Sequence, residues 1–121
     1  ILIVEDNSRL AESLATLLNE AGYETSLAKD SEQGIGKALT ERPDLILTDL
    51  NLSDMNGVEA ITILKKIPMT SRIPIVVLTA ETVRRWKTKA LQAGAAEYLL
   101  KPIAPHDLLN IVRRFCRPEP R

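Results

Sequence analysis

Four short apolar runs constrain this chain more than any other feature, because each stops abruptly at a polar residue. Ile1-Leu2-Ile3-Val4 runs into Glu5-Asp6, and Leu45-Ile46-Leu47-Thr48 runs into Asp49-Leu50. Ile75-Val76-Val77-Leu78 ends at Thr79, and Tyr98-Leu99-Leu100 ends at Lys101-Pro102. Runs this short and this branched read as strands buried on both faces. Residues 23–28 read as one more strand. Between the strands the period changes to that of helices. Leu10, Leu14, Leu17, Leu18 and Ala21 form an apolar stripe, with Asn7 or Ser8 as cap and Gly22 as terminator. Asp30 and Gln33 fit a capping box for a helix through about Glu41, in which Gly34 and Gly36 each cost about 1 kcal/mol relative to Ala. Arg42-Pro43 ends it. Asn56 and Glu59 open a helix through about Lys66, residues 68–73 form a loop, and Pro74 stands at the mouth of the next strand. Residues 82–93 are helical in pattern and closed by Gly94. Pro105 suits the first turn of a last helix striped by Leu108, Leu109, Val112 and Phe115.

Strands that alternate one for one with helices predict an α/β fold: a parallel sheet covered by helices on both faces, with right-handed crossovers. In such a sheet the carboxyl ends of the strands share one edge, where ligands and chemistry collect. That edge would gather the carboxylates of Glu5, Asp6 and Asp49, the hydroxyl of Thr79 and the ammonium of Lys101. Converging carboxylates repel one another, so a cation must join them or their pKa values rise. Hard oxygen donors with open positions suit Mg2+. Carboxylates, metal and ammonium together could balance the charge of an incoming phosphoryl group, and a carboxylate can itself be the nucleophile. Asp49, ending the central strand, is the candidate acceptor. There is no GxxxxGK[ST] loop, hence no built-in nucleotide site of that kind. Two residues after Asp49 stands Asn51, which cannot act as an acid or base. Its presence favours a phosphoaspartate that persists.

Bulk properties narrow the class. At 121 residues, 45% hydrophobic and 26% charged, the chain has the size and composition of a single globular domain. Sixteen basic and sixteen acidic residues cancel, so no global field draws it to nucleic acid or an anionic membrane. No apolar run approaches the roughly 20 residues of a membrane span, and no signal peptide is visible. The single cysteine, Cys116, fits a reducing, cytoplasmic setting. The chain opens inside a strand-like run without Met, which reads as a fragment or a trimmed start.

With these residues in place, the chain resembles the receiver domain of two-component response regulators over essentially its whole length. The matching pieces are Glu5-Asp6, Asp49, Gly57 at the start of the third helix, Thr79-Ala80, and Lys101-Pro102, each at the end of the appropriate element. The resemblance implies a flavodoxin-like, doubly wound five-stranded sheet of order 2-1-3-4-5. It implies a phosphoryl group received by Asp49 from a phosphohistidine of a histidine kinase or histidine phosphotransfer protein. It implies Mg2+ held by Asp6, Asp49 and the backbone carbonyl of Asn51, with Glu5 acting through water. It implies a cis Lys101–Pro102 bond. It also implies a switch in which Thr79 moves toward the phosphoryl group, Tyr98 turns inward, and the face of the fourth helix, fifth strand and fifth helix is remodelled for a downstream effector. A full switch from 1:99 to 99:1 would need about 5.5 kcal/mol of differential stabilisation. Residues 1–116 would form the receiver and 117–121 a linker or tail, with no direct contact to nucleic acid or membrane. The chemistry would be self-catalysed and not that of a metabolic enzyme; the chain could stand alone or belong to a larger regulator or hybrid histidine kinase.

Two departures from the family pattern stand beside the acceptor: Glu-Asp where Asp-Asp is commoner, and Ser53 where many receivers have Pro, which predicts a looser loop. In receivers the positions of Asn51 and Glu81 tune phosphoryl lifetime. Arg84, Arg85, Lys87 and Lys89 surround Trp86 on the fourth helix and make a possible output face. Asp54 reads as a turn residue, His106 as no metal ligand, and Cys116 as packing or surface. The competing readings are a pseudo-receiver that serves only as an interaction module, a Mg2+-dependent aspartyl-phosphate phosphatase, which Asn51 argues against, and more distantly an FMN carrier.

Overall fold

The computed structural model describes residues 1–52, 54–80, 82 and 84–118. The expectations for Ser53 and Glu81, and for the end of the tail at residues 119–121, lie outside the described residues. Strands and helices alternate along the chain: β1 (Leu2–Val4), α1 (Ser8–Glu20), β2 (Ser26–Ala28), α2 (Ser31–Glu41), β3 (Ile46–Thr48), α3 (Gly57–Lys66), β4 (Ile75–Thr79), α4 (Arg84–Ala93), β5 (Glu97–Leu100) and α5 (Pro105–Phe115). The strands form one parallel sheet in the order β2-β1-β3-β4-β5.

The apolar runs are continuous because consecutive residues serve opposite layers. Leu2, Val4, Ile46, Ile75 and Val77 pack with Ala38 of α2, Ile61 and Leu64 of α3, and Ala90 of α4. Ile3, Leu45, Leu47, Val76 and Leu78 pack with Ala15 and Leu18 of α1 and Leu108 and Val112 of α5. Each Leu, Ile or Val among them, taken fully from water, contributes about 1.5–3 kcal/mol and each Ala less, and this sandwich fixes where the strand ends fall.

The helix starts follow local chemistry. Asn7 accepts from Leu10 N–H, Asp30 from Gln33 N–H and Asn56 from Val58 N–H. The expected capping box at Asp30 is altered: the Gln33 side chain accepts from the N–H of Lys29, one residue before the cap (3.2 Å). Two expected bounds also shift. The second strand begins at Ser26, not at residue 23, because the N–H of Tyr23 is spent on Leu18 O after the Gly22 turn (φ 98°). Buried Tyr23 instead donates its hydroxyl to Cys116 O (3.1 Å), joining that corner to the end of α5. The fourth helix begins at Arg84, with Thr82 outside it.

The two glycines of α2 differ in kind. A Cβ on Gly34 would come 2.8 Å from Val4 Cγ2, so the helix lies on β1 only because that atom is missing. A Cβ on Gly36 would meet nothing within 4 Å. Gly36→Ala is therefore expected to stabilise the fold by about 0.5–1 kcal/mol in urea unfolding, and Gly34→Ala to destabilise it.

Candidate functional site

Parallel register sets the strand ends side by side. Val4 is level with Thr48 and Thr48 with Val77, so Glu5 and Asp49 leave adjacent strands at the same height. The ladder continues one step beyond both: Asp49 N–H donates to Val4 O, and Glu5 N–H to Ala28 O. Thr79 is level with Leu100, and Lys101 follows, its N–H donating to Thr79 O (2.8 Å). The Lys101–Pro102 peptide is cis.

The side chains meet at this edge. One carboxylate oxygen from each of Glu5, Asp6 and Asp49 lies within 4.8 Å of the others. Glu5 and Asp49 are 4% and 8% exposed, whereas Asp6 is open to solvent. The Lys101 ammonium donates to both buried carboxylates, to Glu5 Oε1 and to Asp49 Oδ2 (2.9 Å to the latter). Asp49 Oδ1 accepts from Asn51 N–H (3.1 Å), and Glu5 Oε2 from Asn7 N–H (3.2 Å). Burial pushes the Glu5 carboxyl above its ordinary value, Lys101 and Asn7 pull it back in part, and Asp49 adds a smaller upward push. Burial also pulls on the Lys101 ammonium, but its bonds to Glu5 and Asp49 outweigh that and raise its pKa. Two partners hold each buried carboxylate, and the crevice keeps a net negative charge.

That donor set fits a hard divalent cation: oxygen ligands only, one of them exposed, with more negative charge than Lys101 neutralises. It also fits a carboxylate nucleophile, since Asp49 lies beside an ammonium able to pair with an incoming anion.

The loop between β3 and α3 is pressed on the acceptor strand. A Cβ on Gly57 would come 2.6 Å from Leu50 Cα and 2.7 Å from Asp49 O, so only glycine lets α3 start so close. Asn51 bridges to Asn56 across this loop. Asp54, expected to be an ordinary turn residue, has a longer reach. Its carboxylate accepts from the N–H groups of Ser31 (2.9 Å) and Glu32 (2.8 Å) at the start of α2, and from Met55 in its own loop (2.9 Å). The Ser31 bond leads the causes that hold its pKa below the ordinary value. Turn propensity marks Asp54 in the sequence; its partners 23 and 22 residues away do not show there.

The other expected site residues divide between the end of β4 and the elements that follow it. Thr79 is buried and Ala80 exposed at the end of β4. Tyr98 is half-buried on β5 and packs on the same core cluster as Trp86 of α4. Arg84 and Lys87 are exposed, and the cations of Arg85 and Lys89 lie over the Trp86 ring at 5.9 and 5.0 Å. His106 pairs with Asn110 through its ring Nε2 (3.1 Å). Among the described residues no helix is long and apolar enough to cross a membrane.

The family model of the response regulator receiver domain matches residues 1–113. The chain is 38% identical over 117 residues to the DNA-binding response regulator MtrA of Mycolicibacterium paratuberculosis, a match covering 97% of this chain and 51% of MtrA. The chain thus spans about half the length of the curated relatives it matches. Its fold matches chemotaxis protein CheY4 of Vibrio cholerae with a TM-score of 0.89 at 31% identity, covering 95% of this chain and 96% of that one. It also matches the receiver domain of sensor histidine kinase PA1611 from Pseudomonas aeruginosa, with a TM-score of 0.86 at 32% identity, covering 94% and 93%. That structure has a magnesium ion coordinated in its active-site cleft. The chain belongs to the response regulator receiver family, a family of signalling domains with the flavodoxin-like fold.

Removing Lys101 leaves two buried carboxylates facing each other. Lys101→Met is expected to lower stability by roughly 1–3 kcal/mol at neutral pH. The folded pKa of Glu5 lies above its unfolded value, so its protonated form favours the fold; this stabilisation is complete below the ordinary 4.5 and is lost as pH rises through the folded pKa. The variant raises that pKa further. Its deficit in urea unfolding should therefore shrink as the solution is made mildly acidic.

Proposed function

We propose that this domain is the phosphoacceptor of a two-component or phosphorelay system, and that Asp49 takes a phosphoryl group from a phosphohistidine on a histidine kinase or histidine phosphotransfer protein. The observation carrying this reading is the pairing of buried Asp49 with Lys101 at a strand end shared with Glu5 and Asp6. An Asp49 oxygen forms a bond to phosphorus while the P–N bond breaks, and that bond's electron pair goes to the departing imidazole nitrogen. Such transfer is governed by positioning and charge balance more than by covalent help from the protein.

The chain's own groups divide these tasks. Asn51 N–H and Lys101 orient Asp49 before reaction. Lys101 then pairs with the phosphoryl oxygens, and the Thr79 hydroxyl and Ala80 backbone serve the same group. Asp6, Asp49 and the Asn51 carbonyl would hold Mg2+, with Glu5 contributing through water. When bound, the ion would supply the positive charge that the crevice lacks. Asn51 supplies no acid or base for hydrolysis, which favours a lasting switch over a phosphatase. The signal then passes through Thr79 and Tyr98 to the α4–β5–α5 face, where Arg84, Trp86 and Lys87 meet a downstream effector, with no nucleic acid contact by this domain. Residues 1–116 act as the receiver and 117–121 as linker or tail, in the cytoplasm.

Incubation with Mg2+ and acetyl phosphate should add one phosphoryl group by intact mass. The gain should vanish in Asp49→Asn and on chelation of Mg2+, while Asp49→Asn stays folded. No gain in a folded wild-type protein would leave only an interaction module, and a labelled Asp49→Asn would place the acceptor on another residue.

A further inference from the structure

The tie between Asp54 and α2 plays no part in the proposed chemistry above, yet it crosses from the phosphorylation loop to a different element. Ser31 and Glu32 offer two of the N–H groups that a helix start leaves unpaired, and Asp54 takes one with each carboxylate oxygen. Ser31 is buried while Asp54 and Glu32 are exposed, so the Ser31 bond is the better shielded of the two. The same carboxylate accepts from Met55 N–H, which ties the tip of its own loop to the clasp. From that tip the chain is short and cross-linked: Asn51 bridges to Asn56, Gly57 N–H donates to Leu50 O (2.9 Å), and Asn51 N–H donates to Asp49 Oδ1. A displacement at Asp54 can therefore pass to Asn51 through Met55, Asn56 and the Asn51–Asn56 bridge. α2 already has its own cap in Asp30, which accepts from Gln33 N–H (2.8 Å), so the helix start does not depend on Asp54 alone.

We propose that Asp54 is a positioning residue for the phosphorylation site: by clasping the β3–α3 loop to the start of α2, it fixes Asn51, whose N–H orients Asp49 and whose carbonyl is one of the proposed metal donors. The inference rests on the reading of Asp49 as acceptor, and it makes the first turn of α2 part of the support of the site. Groups that hold a metal's ligands in place contribute about 10–100-fold to affinity or activity. Asp54 acts through a loop and belongs at the lower end of that range.

The decisive comparison is Asp54→Ala against Asp30→Ala. Both remove a carboxylate from the start of α2, but Asp30 belongs to the turn after β2 and not to the phosphorylation loop. Amide hydrogen exchange of metal-free protein, Mg2+ titration followed by amide NMR shifts, and acetyl phosphate labelling by intact mass are the readouts. Asp54→Ala should speed exchange at the Asn51 amide, weaken Mg2+ binding and slow labelling by about tenfold. Asp54→Asn, which keeps one acceptor oxygen, should recover part of each. Asp30→Ala should lower the Tm and leave Asn51 exchange, Mg2+ affinity and labelling rate at wild-type values. If Asp54→Ala also changes only the Tm, Asp54 is a second helix cap and the proposal is wrong. An unlabelled wild-type protein would overturn the acceptor reading instead, and Asn51 exchange in the metal-free variants would still decide whether Asp54 holds the loop.

Discussion

Glu5 and Asp49 lie buried at the ends of adjacent strands, where their negative charges would drive each other apart without the ammonium of Lys101 between them. Removing two carboxylates from water costs several kcal/mol each unless a countercharge and hydrogen bonds compensate. Lys101 supplies the charge, and the N–H groups of Asn7 and Asn51 occupy oxygens that Lys101 does not. The compensation is incomplete: burial above all, and the Asp49 charge in smaller part, push the Glu5 carboxyl above its ordinary value despite Lys101 and Asn7. A crevice left partly uncompensated is suited to take up further positive charge, which connects the stability of the site to its chemistry.

The topology explains why this triad forms. In the order β2-β1-β3-β4-β5, the chain winds outward in opposite directions from the boundary between β1 and β3. Helices leaving the two strands go to opposite faces, as the separate packing of α1 and α3 demonstrates, and a crevice opens between them. Glu5 and Asp6 flank it from β1 and Asp49 from β3. Lys101 arrives from β5, two strands away, so its long side chain crosses over the end of β4 to reach the pair. Short strands help: with β1 and β3 only three residues long, the polar residues follow directly on the core.

Much of this arrangement was legible residue by residue. The strand ends could be placed because a buried parallel strand is a continuous apolar run that stops where burial stops, and each run here stops at a residue of the site. Helix starts at Asn7, Asp30 and Asn56 were legible because a cap bonds to a backbone group two or three residues away. The start of the second strand was less so: Tyr23 has strand propensity, but its N–H is claimed by the end of α1. The reach of Asp54 had no local signal. An aspartate in a polar loop satisfies turn rules whether its carboxylate faces water or a helix folded next to it.

The sequence by itself determined the order of elements, the apolar faces of the sheet and the residues standing at its functional edge, since all three follow from periodicity and capping over a few neighbouring positions. Only the tertiary structure decided which of those residues touch. Register brought Glu5 level with Asp49, the crossover to β5 brought Lys101 to both, and the close approach of Gly57 to the Asp49 backbone set how tightly the loop could fold. The clasp of Asp54 on α2 belongs to the same class. These contacts join positions far apart in the chain, and their geometry depends on how the two helical layers pack against the sheet, which no local pattern encodes.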